Sequence, residues 1–194
     1  TDTTERKRAE GVVAARLRLM EFAAPHTLGE LMQFVLDQVC AEVDSPIGFF
    51  HFVEPDQHTL SLQAWSTGTL AGMCTAEGSG RHYDIGEAGV WVDCVRQRRP
   101  VVHNNYAGLA HKKGMPDGHA TVVREMVFPI IRNELIVAVL GTGNKATDYT
   151  DDDVAQASRL VDLAWDIVAR KRAEEALRES ETRYALTLDA VNDG

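Results

Sequence analysis

The chain has 194 residues, is 44% apolar and carries a net charge of −9 at neutral pH. That is room for one domain with helical extensions, and the acidic balance argues against a nucleic-acid footprint or contact with an anionic membrane surface. The longest apolar run, Leu135–Gly141, falls far short of the roughly 20 residues that span a bilayer, and the charged Thr1–Glu10 lacks the apolar stretch of a secretory signal. Three cysteines (Cys40, Cys74, Cys94) make no disulfide framework, which predicts a reducing, cytoplasmic setting.

Residues 3–23 read as a charged helix with a narrow apolar stripe of Val12, Val13, Leu17 and Met20, interrupted by Pro25. Thr27 and Glu30 have the spacing of a capping box. The helix they open places Leu28, Leu31, Met32, Val35, Leu36 and Val39 on one face. The period then shortens. Ile47–Val53, a turn over Glu54–His58 and the alternating Leu60–Trp65 predict a hairpin. A glycine-rich loop over 68–89 follows, then a helix over 89–99 with Trp91, Cys94, Val95 and Arg98 on one face, stopped by Pro100. Val101–His103 is a brief strand, and 104–120 a long loop of the kind that often carries function. A second hairpin, 122–131 with 135–143, turns at Arg132–Glu134. Pro129 cannot donate to a ladder, so its strand is predicted to be bulged or at an edge there. Thr150–Asp153 caps a last helix predicted to run to about Ala185. Two hairpins with helices before and after define an α+β domain on an antiparallel sheet of five to six strands.

The string Arg-Lys-Arg-Ala-Glu occurs at Arg6–Glu10 and again at Arg170–Glu174. Its placement near both ends predicts a module between similar helical connectors: a linker helix over 1–24, a domain over 25–168 and a signalling helix over 169–194. Leu163, Ile167, Leu177, Tyr184, Leu188 and Val191 fit the seam of a weak coiled coil, with a single solvated helix as the alternative.

A set of residues resembles the GAF domains of bacterial signalling proteins: Trp65-Ser66, Cys74, His82-Tyr83, Ala88–Trp91, Arg99–Val101, Asn104–Tyr106, Lys113–His119 and Gly141–Lys145. The resemblance covers residues 25–170. The two ends resemble the borders of PAS domains, which implies a PAS–GAF–PAS order in a sensor histidine kinase or diguanylate cyclase. It also implies a small-molecule pocket between the sheet and its connecting loops, lined by Trp65, Cys74, His82, Tyr83, Trp91, His103, Asn104, Tyr106 and Met126. The ligand and any cofactor are unknown. The terminal helices would form a homodimer and relay the signal to adjacent PAS and output domains.

Asn144 and Lys145, with Tyr149 and Asp153, resemble the signature of cyclic-nucleotide-binding GAF domains. The competing reading makes Asn144, Lys145 and Asp152 a structural motif, with Lys145 tying a strand to the start of the last helix. His82, His103, His111 and His119 with Cys74 match no recognised metal spacing, and no metal ligand is assigned. A redox or haem sensor, or a bilin on Cys74, stays an alternative, as does a ligand-free dimerisation module. No Gly-x-Ser-x-Gly elbow or Walker loop is present, so no catalytic residue is assigned to this chain.

Overall fold

A computed structural model of the chain describes the backbone of residues 2–71, 82–113 and 121–192. The order is α1 (Asp2–Ala23), α2 (Leu28–Glu42), β1 (Ile47–Val53), β2 (Thr59–Trp65), α3 (Thr67–Leu70), β3 (His82–Asp84), α4 (Asp93–Gln97), β4 (Val101–His103), β5 (Glu125–Arg132), β6 (Leu135–Gly143) and α5 (Asp151–Asn192). Short 3₁₀ turns occupy Ile85–Glu87, Val90–Val92 and Tyr106–Gly108. Two compact units result: Met32–Asp162, which holds the whole sheet, and Thr1–Leu31 with Leu163–Gly194. No described helix is long and apolar enough to cross a membrane.

The six strands run in the order β3-β2-β1-β6-β5-β4, and every pair is antiparallel. Each hairpin has a turn its residues can make. At the β1–β2 turn, Asp56 accepts from the His58 and Thr59 amides at 2.9 and 2.8 Å. These bonds, led by the one from the Thr59 hydroxyl, hold its carboxyl down at about 2. Asn133 and Glu134 between β5 and β6 both lie in the left-handed region, φ 50° and 64°, which matches the twist of a two-residue hairpin. Pro129 pairs with Val139 of β6. Its other side is open because β4 pairs only with Glu125–Val127, so no ladder donor is lost there.

Directly opposed residues share a sheet face. Gly48, Thr142, Met126 and Val102 are in register on one face, as are Phe50, Leu140 and Phe128. This face meets α2: a Cβ on Gly48 would lie 2.7 Å from the Cys40 sulfur and 3.5 Å from Leu36. Phe49, Gly141, Val127 and Val101 are in register on the other face. There Val53, Leu60, Ala88, Val92, Cys94, Val127 and Val139 form a core under the segments that connect β3 to β4.

The stripe Val12, Val13, Leu17 and Met20 of α1 is exposed, and Leu19 of the same helix is 2% exposed. Three expectations are corrected. The helix read over 89–99 is two pieces, the 3₁₀ turn Val90–Val92 and α4, and α4 stops at Gln97 because Arg98 turns left-handed at φ 52°. Part of the glycine-rich loop is strand β3, paired with Thr59–Ser61. The last helix runs past Ala185 to Asn192.

Candidate functional site

The site candidates divide by sheet face. Trp65 stands opposite Phe49 at the end of β2. The Phe49 ring meets Trp91 edge-on, centroids 5.2 Å apart, and His51 at 5.3 Å; His51 and Trp91 are 4.7 Å apart. Gly89 sits between Trp91 and Tyr106: a Cβ there would be 3.5 Å from the first and 3.9 Å from the hydroxyl of the second. Gly141 leaves the space in which the Phe49 ring lies. His51 is 4% exposed, and its burial pushes the imidazole down to about 3, so it is neutral at any ordinary pH.

Beside these rings is a chain of polar groups from four segments. His103, at the end of β4, stands opposite Glu125 at the start of β5, and its Nδ1 is 2.9 Å from the Glu125 carboxylate. Its Nε2 lies 3.5 Å from Asp93 of α4. Asp93 accepts from Arg96 at 2.7 Å and from His111 Nε2 at 2.7 Å. Burial raises the Asp93 carboxyl, but the bonds from His111 and Arg96 outweigh it, and the net shift is downward. Tyr106 is pushed up to about 12 by burial and by the Glu125 charge. The set gathers two carboxylates and two imidazoles at one end of the ring-lined face, and it can offer both donors and acceptors. Among the described residues no group of three or more His, Cys, Asp or Glu is arranged to hold a metal ion.

Two of the predicted pocket residues do other work. Met126 is fully buried and stands in register with Thr142 and Val102 on the opposite, helix-covered face. Asn104 is a structural clamp: its amide donates to the Tyr149 carbonyl at 3.0 Å and accepts the Tyr149 amide at 2.8 Å. Tyr83 and His82 stand opposite Leu60 and Ser61 in the ladder, and Cys74 and His119 lie outside the described residues. Cys40 and Cys94 are buried free thiols. Burial pushes Cys40 up to about 12, and burial with the Glu125 charge raises Cys94, so neither is a reactive thiolate.

The Asn144–Lys145 pair closes the sheet. Asn144, at φ 63°, accepts from the Val123 amide and donates to the Thr121 carbonyl, both at 2.8 Å. Lys145 Nζ pairs at 2.6 Å with Asp153, not with the expected Asp152. Asp153 is the third residue after the cap Thr150 and exchanges bonds with it. That geometry turns its side chain inward, while Asp152 is exposed.

Sequence reading missed Phe49, His51, Asp93 and Glu125 as site residues. The available signal was a polar residue at an inward strand position: His51 alternates with Phe49 and Val53, and a buried polar group is more informative than an exposed apolar one.

Hairpins nested around a central β1–β6 pair, with α2 on one face and short connecting segments over the other, define an α+β domain on a six-stranded antiparallel sheet. The chain belongs to the GAF domain family, whose model matches residues 25–169. It is 35% identical over 186 residues to a methyl sulfide methyltransferase-associated sensor of Methanosarcina acetivorans; the match covers 91% of this chain and only 18% of that relative. The GAF domain of a phosphoenolpyruvate-protein phosphotransferase from Coxiella burnetii superposes with a TM-score of 0.66 at 14% identity, covering 87% of this chain and 98% of that one. The corresponding Acinetobacter domain superposes at 0.63, also at 14% identity, over 83% and 94%.

Proposed function

We propose that this chain is the sensor domain of a larger signal-transduction protein, and that a small molecule held against the Trp91 side of the sheet alters the packing of α5. One observation carries the reading. His103 is placed between two carboxylates, Asp93 and Glu125, at the edge of a ring-lined sheet face. Apolar walls with a few placed polar groups are what small-ligand sites need. Trp65, Trp91, His103 and Tyr106 would line the ligand. The Asp93–His111 bond is the contact a ligand would replace, since His111 is 56% exposed and lies on the long loop. The relative's name, which designates a sensor, supports the same reading.

In this proposal α5 is the output. Its 42 residues run unbroken, and beyond the domain it exposes Leu177, Tyr184 and Leu186. With the α1 stripe these residues would pair with a second copy of the chain, and adjacent PAS and output domains, of a kinase or cyclase, would receive the change in a cytoplasmic setting. The coupling would be about 1–3 kcal/mol.

The test is a native mass spectrum of the freshly purified chain set against the denatured mass. A discrete excess lost on denaturation supports the sensor reading, and its size distinguishes nucleotide from metal or haem. The exposed apolar stripes of α1 and α5 favour a second reading, a ligand-free dimerisation and relay module. Bare masses of two chains, with a melting temperature that rises with protein concentration and not with added ligand, would select it.

A further inference from the structure

Helix α1 ends at Ala23 and α2 begins at Leu28, so the break between them leaves carbonyls of α1 and amides of α2 without partners inside either helix. Four of these groups are satisfied in a regular way. Two are met locally: His26, stacked on Phe22 at 3.8 Å, donates Nδ1–H to the Phe22 carbonyl at 2.8 Å, and Glu30 accepts the Thr27 amide at 2.8 Å. The other two are met from far away in the chain. Lys171 Nζ donates to the Ala23 carbonyl at 2.9 Å, and Glu175 accepts the Leu28 amide at 2.8 Å.

The signs of the charges match the helix ends. The C-terminus of α1 carries partial negative charge and receives an ammonium; the N-terminus of α2 carries partial positive charge and receives a carboxylate. Lys171 and Glu175 are four residues apart, one turn of α5, and therefore share a face. The repeated string is thereby divided. Arg170 and Glu174 pair with each other on the exposed side at 2.7 Å, while Lys171 and the acid that follows the string grip the α1–α2 break. In the first copy Lys7 is followed four residues later by Gly11, which has no carboxylate.

We infer that Lys171 and Glu175 form a register clamp that holds α5 at one position along the α1–α2 elbow. Sliding α5 by one turn would bring Lys171 to the positive end of α2, or Glu175 to the negative end of α1. Either shift replaces an attraction with a repulsion, so the registers one turn away are disfavoured and α5 is held in this one. The clamp ties the helix that enters the domain to the helix that leaves it, whatever the sheet binds.

The experiment is residue-resolved amide exchange on the whole chain, read at Leu28 and over the last turn of α1. Neutralising the clamp with Lys171→Ala and Glu175→Ala together is expected to speed exchange at Leu28 roughly tenfold and to leave the β1–β2 hairpin unchanged. Exchanging the charges, Lys171→Glu with Glu175→Lys, is expected to be faster again, because both groups then face the wrong helix end. Glu174→Ala, which removes only the exposed pair, is the control and should leave Leu28 unchanged. Should the double variants fail to fold, Glu175→Gln keeps an acceptor and loses the charge, with an expected rise of about twofold to threefold. The inference is overturned if the charge exchange is as slow as the original chain or no faster than the neutral pair, if Glu174→Ala matches the neutral pair, or if Glu175→Gln leaves Leu28 unaltered.

Discussion

Gly141 is the position at which one methyl group tests the packing of the site. Its backbone needs no glycine conformation; the reason for glycine there is space. A Cβ would lie 2.3 Å from two carbons of the Phe49 ring and 3.0 Å from a third, whereas carbon atoms settle at about 3.5–4.0 Å. The ring would have to retreat by more than about 1 Å, and it is backed by Trp91 and His51 at centroid distances of 5.2 and 5.3 Å. Overpacking of this kind costs about 1–3 kcal/mol, and replacing a strand glycine by alanine returns about 0.5–1 kcal/mol. Gly141→Ala is therefore expected to lose about 1–2 kcal/mol and to lower Tm by about 3–7 °C. Urea denaturation followed by circular dichroism would measure it. The cause is isolated by a double-mutant cycle with Phe49→Ala, in which the added methyl meets no ring and should leave only the gain of about 0.5–1 kcal/mol, a coupling equal to the overpacking cost of about 1–3 kcal/mol. An additive cycle, or a Gly141→Ala stability within about 0.5 kcal/mol of the original, would refute the argument that the Phe49 ring occupies the missing side chain's place.

Three further outcomes follow from the same geometry. His51 titrates at about 3 in the fold against 6.5 when free. Below pH 6.5 the unfolded chain takes up a proton that the folded chain refuses, so stability from this residue is full above pH 6.5 and falls towards pH 3. Between pH 7 and 5 the loss is about 2 kcal/mol; urea melts at both values should show it, and His51→Phe should remove it from the slope. Asn104→Ala deletes both bonds to the Tyr149 backbone and should cost about 1–2 kcal/mol by chemical denaturation; a loss near zero would mean that the clamp is idle. Glu134→Gly relieves a left-handed residue at φ 64° and should raise Tm by about 2–4 °C, with a calorimetric scan showing no rise as the contrary result.

The elements and the family were legible in the chain because both rest on local signals. Thr27 with Glu30 and Thr150 with Asp153 start helices through contacts three residues apart, and the short apolar runs Ile47–Val53 and Leu135–Gly141, with the alternation over Leu60–Trp65, mark strands without knowledge of their partners. The number of strands and the 25–169 match to GAF domains agree with that reading, while the nesting of the hairpins came only from the structure. Tertiary structure alone decided the site and the clamp. Met126 and Val127 are adjacent in sequence yet face opposite sides of the sheet, and only the register with Thr142 and Gly141 says which side meets α2. Asp93, His103, His111 and Glu125 have no motif spacing, since four separate segments bring them together. Lys171 and Glu175 looked like two more charges on a solvated helix. Their partners are backbone groups about 150 residues away, and a hydrogen bond to a helix end leaves no mark in the sequence of the helix that receives it.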